Sequence, residues 1–152
     1  MNSIVSATTL TVSNVTPTLG SLAISSPINE DDTATLTGTI ADPGTLDTFS
    51  LVVNWGDGSA PQTFNYVAGA ASFTATHQFL DDNPTVTPSD QYTMTLTLTD
   101  DDTGIDSDNV ALTVNNVAPA LNNVTATAVI TETEVVTLTG FIAEVGTQDT
   151  FT

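Results

Sequence analysis

Apolar and polar residues alternate along most of the chain, most cleanly over Tyr92-Thr93-Met94-Thr95-Leu96-Thr97-Leu98-Thr99. A period of two puts Tyr92, Met94, Leu96 and Leu98 on one face and four threonines on the other, as in a half-buried strand. The same pattern predicts strands over 19–25, 33–40, 48–55, 62–67, 71–79 and 109–114. Within 33–40, Leu36 and Ile40 share a face; within 48–55, Leu51-Val52-Val53 is apolar on both, as a strand in mid-sheet would be. The runs 62–67 and 71–79 read as a hairpin-like pair across Ala68-Gly69-Ala70. Pro17, Pro27, Pro43, Pro84 and Pro88 fall between strands, where a missing N–H does no harm. No window keeps a helical period.

Seven short strands separated by turn signals predict an all-β fold, an antiparallel β-sandwich of immunoglobulin-like type. Sliding the chain against itself adds a repeat. Leu10-Thr11-Val12-Ser13-Asn14-Val15-Thr16-Pro17 returns as Leu112-Thr113-Val114-Asn115-Asn116-Val117-Ala118-Pro119, and Asp47-Thr48-Phe49 returns as Asp149-Thr150-Phe151. The offset is 102 in both (112 − 10 and 149 − 47), and residues 10–50 match 112–152 at 20 of 41 positions without a gap. The expected division is therefore 1–12 as the last strand of a preceding copy, with its strand at 4–12, 13–114 as one complete copy, and 115–152 as the first part of a following copy. Self-similarity of this kind marks an array protein. The junction Val114-Asn115-Asn116-Val117-Ala118-Pro119 has no Gly-Ser tract, so neighbouring copies are expected to keep a limited range of angles.

Composition narrows the function. The 152 residues suffice for one sandwich and a remainder, not for two full ones. Lys and Arg are absent against 18 acidic residues, giving a net charge of −18, which excludes nucleic acid and anionic membrane surfaces as partners. No apolar run is long enough for membrane insertion. There is no cysteine, hence no disulfide framework, and the first seven residues lack the basic and apolar segments of a secretory signal. The 31 threonines, mostly alternating with apolar residues, reinforce the strand assignment.

Three blocks in order, Asn54-Trp55-Gly56-Asp57-Gly58-Ser59, then Thr76-His77-Gln78-Phe79, then 91–102 from Gln91-Tyr92-Thr93 to Asp100-Asp101-Asp102, give the chain a family likeness. Over roughly 13–114 it resembles the polycystic-kidney-disease (PKD) domain, whose signature has a Trp before Gly-Asp-Gly, a His-Thr-Tyr and an alternating strand ending in Thr-Asp. Gln78-Phe79 stands where Thr-Tyr is usual, and the loops flanking His77 are longer. The resemblance implies that Trp55 is a core residue between the sheets and that His77 packs near it. Asp57-Gly58 is the commonest dipeptide of a type I′ turn. A catalytic role for His77, the only histidine, would need a nucleophile, a carboxylate and an oxyanion stabiliser around it, so no enzyme activity is expected.

The acidic residues gather in inferred loops: Asp31-Asp32, Asp42, Asp47, Asp81-Asp82 and Asp100-Asp101-Asp102. An Asp in a turn often hydrogen-bonds its own backbone. Three in succession repel one another, and no cationic side chain relieves them. In an immunoglobulin-like sandwich the chain's entry, the loop after the second strand and the turn between the last two strands meet at one end. Asn14, Asp42, Asp100, Asp101 and Asp102 then offer hard oxygen ligands from three segments, which suits Ca²⁺. PKD-like domains of some bacterial collagenases hold calcium at this end, and the resemblance carries that role to Asn14, Asp42 and one of Asp100 to Asp102. In the following copy Asn116 replaces Asn14 and Glu144 replaces Asp42. Asn14-Val15-Thr16 and Asn123-Val124-Thr125 are N-glycosylation sequons.

The expected function is an extracellular, cell-surface spacer or fibre repeat with calcium at the junction between copies, its partners being neighbouring repeats or other copies of the chain joined head to tail. The alternative is a cell-adhesion module binding carbohydrate or protein, for which Phe64, Tyr66, Phe73 and Phe79 are the aromatic candidates.

Overall fold

The computed structural model describes residues 8–83, 86–127 and 129–151. Its strands are β1 (Thr18–Ile24), β2 (Ile28–Asn29), β3 (Thr33–Ala41), β4 (Phe49–Asn54), β5 (Gln62–Tyr66), β6 (Ser72–Gln78), β7 (Ser89–Asp100), β8 (Ile105–Asn115), β9 (Ala120–Ala126) and β10 (Leu138–Ala143), and no helix occurs among the described residues. One sheet has the order β1-β3-β6, a second β2-β8-β7-β4-β5, and a third is the pair β10-β9. Every ladder is antiparallel except β2 with β8, which pairs Ile28 with Val114 and Asn29 with Asn115 in parallel.

The alternation in the sequence becomes the core directly. Burial along β3 is strictly alternating, with Ala34, Leu36 and Ile40 inward, and along β7 it puts Tyr92, Met94, Leu96 and Leu98 inward. Ala34, Leu36, Phe73 and Ala75 of the three-stranded sheet form one cluster with Leu51, Val53, Met94, Leu96, Leu98 and Leu112 of the five-stranded sheet, so the two sheets are the layers of a sandwich. Each large aliphatic side chain withdrawn from water in this way stabilises the fold by about 1.5–3 kcal/mol. Gly38 lets Phe73, its partner across the β3–β6 ladder, lie against the sheet; a Cβ there would sit 2.5 Å from two atoms of the Phe73 ring.

Three expectations need correction. The strands 62–67 and 71–79 do not form a hairpin: β5 pairs with β4 and β6 with β3, so the chain crosses from one sheet to the other between them. Phe64 and Tyr66 then approach the core from one layer and Phe73 from the other. Val52 is 37% exposed on an outer face, so β4 is flanked by β7 and β5 but wet on one side. Of the strand expected over 4–12, residues 1–7 lie outside the described residues, as does Pro84, and 8–12 form no strand. Leu10 and Val12 are largely exposed there, and no strand pairs with them among the described residues.

The repeat is visible in the backbone. In β1–β3, Leu19 pairs with Ile40, Ala23 with Thr37 and Ile24 with Leu36; in β9–β10, Leu121 pairs with Ile142, Thr125 with Thr139 and Ala126 with Leu138, each 102 residues on. Ser21 and Asn123 both adopt positive φ (48° and 52°), as do Asp31 and Thr133 (66° and 77°). The following copy meets the first through short contacts: Val117 N–H donates to Glu30 Oε1 at 2.6 Å, and Thr147 N–H donates to the Leu80 carbonyl at 3.2 Å.

Candidate metal centres

Strand β3 starts just after Glu30 and ends just before Asp42, so the acidic loops divide between opposite ends of the sandwich. Two carboxylate groups result. In the first, one oxygen each from Asp42, Asp47 and Asp100 lie within 4.8 Å of one another; in the second, one each from Glu30, Asp81, Asp82 and Asp149 do so.

The first group is built from the loop leaving β3 and the β7–β8 turn. Asp42 Oδ1 accepts the Gly44 N–H at 2.6 Å, while its Oδ2 is buried without a partner. Gly44 lets the Asp47 carboxylate lie close against the backbone, where a Cβ would displace it. Asp100, 4% exposed, closes its own turn by accepting the Gly104 N–H on Oδ1 at 2.6 Å. Asp100 Oδ2 accepts the Asn14 amide at 2.8 Å, which ties the entering chain to the turn. Of the residues expected here, Asp42 and Asp100 come together and Asn14 joins them through Asp100. Asp101 accepts the Thr48 N–H at 3.1 Å, and Asp102 is exposed beside Asn14 and Asp47 along a surface groove; neither belongs to the three-carboxylate group. Asp47 takes the third place. Burial, then the charges of Asp42, Asp101, Asp102 and Asp100, push its carboxyl above the ordinary range.

The second group joins the two copies. Glu30 follows β2, and its Oε1 accepts the Val117 N–H while Oε2 is buried and unpartnered. Both carboxylate oxygens of Asp81 and Oδ2 of Asp82 are likewise buried without partners. Tyr92 from β7 fixes this loop: its hydroxyl donates to the carbonyls of Asp81 (3.1 Å) and Asn83 (2.9 Å), and burial, then nearby carboxylates, raise its own pKa to about 12. From the following copy come half-buried Asp149 and the loop that Glu144 organises by accepting the Gly146 N–H at 3.3 Å. Gly146 lets the Glu30 carboxylate approach the backbone, where a Cβ would displace its Oε2. Burial is the main cause that raises the carboxyl pKa of Glu30, Asp82 and Asp149, and neighbouring carboxylates add to it: Asp149 and Asp82 at Glu30, Asp90 at Asp82, and Asp81 and Glu144 at Asp149.

Charge and spacing define what such groups can hold. Oxygens sharing a Ca²⁺ at about 2.3–2.6 Å can stand up to about 5 Å apart, whereas Mg²⁺ at about 2.0–2.1 Å limits them to about 4 Å. The oxygens of each group, all within 4.8 Å of one another, fit inside the span of a Ca²⁺ shell. Sequence reasoning did not bring Asp47, Glu30, Asp81, Asp82 and Asp149 into such groups. One signal for three of them lay in the repeat, where Asp47 recurs as Asp149 and Glu30 as Glu132.

The aromatic block is structural. Trp55 is fully buried, its Nε1–H donating to Gln62 Oε1 at 2.9 Å, and His77 stacks on it with centroids 4.9 Å apart. His77 Nε2 lies 2.6 Å from Asp57 Oδ2, and Ser59 Oγ donates to Asp57 Oδ1 at 2.6 Å. The carboxylate and the hydroxyl both address Nε2, so the ring braces the 56–59 turn and does not stand between them as a relay. Positive φ falls on Gly56 (83°) and Gly58 (85°) but not on Asp57, so this turn is not type I′; Asp57 instead caps the Ser59 N–H at 3.0 Å.

No protein-family model, curated protein or solved structure matches the chain.

Proposed function

We propose that the chain is a structural spacer, in which PKD-like, immunoglobulin-type sandwiches follow one another in an extracellular array and Ca²⁺ bound by Asp42, Asp47 and Asp100, with Asn14 holding Asp100, stiffens each entry. The observation that carries it is the β9–β10 hairpin, which reproduces the β1–β3 register 102 residues on and starts directly against the first copy. The aromatic residues support a spacer over an adhesive module: Phe73 and Phe79 are buried, and Phe64 and Tyr66 pack against the core, which leaves none of the four as an open stacking platform.

Thermal melting with chelator and with millimolar Ca²⁺ tests this at matched ionic strength. An ion held only by the folded state at a hundredfold its Kd adds about 2.7 kcal/mol. The transition of the 13–114 sandwich is expected to rise with Ca²⁺, and Asp42→Ala is expected to remove most of the rise. An unchanged transition, or saturable binding of a glycan panel, would overturn the proposal.

A further inference from the structure

We infer that Glu30, Asp81 and Asp82 of one copy and Asp149 of the next form a second divalent-cation site, one that clamps consecutive copies together. A group of acidic residues is ordinarily a solvated surface. This one is different because three of its members are almost wholly withdrawn from water: Glu30 is 2% exposed, Asp81 5% and Asp82 1%. Glu30 Oε2, both Asp81 oxygens and Asp82 Oδ2 are buried with no hydrogen-bond partner, and one oxygen of each residue falls within 4.8 Å of the others. A buried carboxylate without a donor is costly, and the chain has neither Lys nor Arg to offset it, while its one histidine is engaged by Asp57. A hard divalent cation meets the requirement with oxygen ligands alone, and Ca²⁺ accepts an irregular set of such oxygens where Mg²⁺ demands near-ideal octahedral geometry.

The backbone is shaped for the same end. Tyr92 ties down the Asp81 and Asn83 carbonyls, Thr147 N–H fastens the incoming loop to Leu80, and Gly146 leaves room for Glu30. Glu144 and Asp149 occupy the positions of Asp42 and Asp47 in the first copy. The counterpart of the loop that faces Asp100 in the first copy thus faces Glu30, Asp81 and Asp82 of the copy before it. Ion binding stands on this geometry alone; its role as a clamp in an array rests on the spacer reading.

Calorimetric titration of the full chain with Ca²⁺ is the test, together with hydrogen exchange of the Thr147 amide. Asp82→Asn and Asp149→Asn are each expected to weaken one binding event at least about tenfold and leave a second intact, whereas Asp100→Asn does the converse. Ca²⁺ is expected to slow exchange at Thr147 in the unsubstituted chain and not in Asp149→Asn. If Asp82→Asn and Asp149→Asn bind as the parent does while Asp100→Asn loses all binding, this site is overturned and the first stands. Absence of any saturable binding overturns both. Loss in Asp82→Asn alone, with Asp149→Asn and Thr147 exchange unaffected, overturns the clamp. Asp149 lies in a half-buried loop outside the sandwich core, so its variant remains informative even if Asp82→Asn misfolds.

Discussion

Trp55 shows how much one residue organises. It fills the space between the layers, stacks on His77 and meets Phe79 edge-on at 6.4 Å. Trp55→Ala is expected to cost about 3–5 kcal/mol, read as a fall in melting temperature whether or not Ca²⁺ is present. Gly56 beside it has φ 83°, and a methyl group there would lie 2.6 Å from the Thr93 carbonyl oxygen, so Gly56→Ala should cost about 1–2 kcal/mol or more by the same measurement. At Asp57 burial works to raise the carboxyl pKa, but hydrogen bonds from Ser59 and His77 outweigh it and hold the value below the ordinary range. Because the folded-state pKa is the lower one, this carboxylate adds stability above its unfolded pKa and loses it as pH falls through the folded value. Asp57→Asn should therefore flatten the acid limb of a stability–pH curve. The tryptophan and the turn were legible in Trp55-Gly56-Asp57-Gly58, but the turn type was not, since the dipeptide does not reveal that Asp57 caps Ser59 through its side chain.

At the scale of elements, side-chain alternation located every strand of the complete copy except the two-residue β2, because a strand's faces are written in its own residues. Which sheet a strand joins is not written there. Ala68-Gly69-Ala70 supplies a turn, with Ala70 N–H donating to the Val67 carbonyl, yet a turn is equally compatible with pairing and with crossing to the other layer. The repeat gives a controlled comparison between elements. Leu36 is fully buried while Leu138, its counterpart, is 69% exposed. Leu36→Ala should cost about 2–5 kcal/mol and Leu138→Ala less than about 0.5 kcal/mol in the melting of the sandwich. Equal losses would show that the β9–β10 face is covered in solution. The carboxylate groups were half legible for a related reason: Asp42 and Asp100 approach within one copy, whereas Glu30 and Asp149 approach only across a junction.

For the whole molecule, the exposed face of β9–β10 that carries Leu121, Leu138 and Ile142 matches a face that β1–β3 turns towards the five-stranded sheet, where Leu36 and Ile40 are buried. Head-to-tail association would cover it, and light scattering of the full chain beside residues 13–114 should then show mass rising with concentration only for the former. Mass that stays constant for both limits the interaction to copies within one chain. The parallel pairing of β2 with the end of β8 has a mechanical consequence. In an array of such copies, tension would enter each copy near its start and leave it after Asn115, drawing β2 backwards along its axis and β8 forwards. Parallel neighbours pulled this way slide past each other, so the Glu30 N–H bond to the Asn115 carbonyl and the ladder beside it resist together and cannot open one at a time. Asn29→Pro, which constrains the backbone at this short contact, should lower the force at which a tethered copy yields far more than it lowers melting temperature. A spacer made this way would be soft to heat at its edge and stiff to traction along its length.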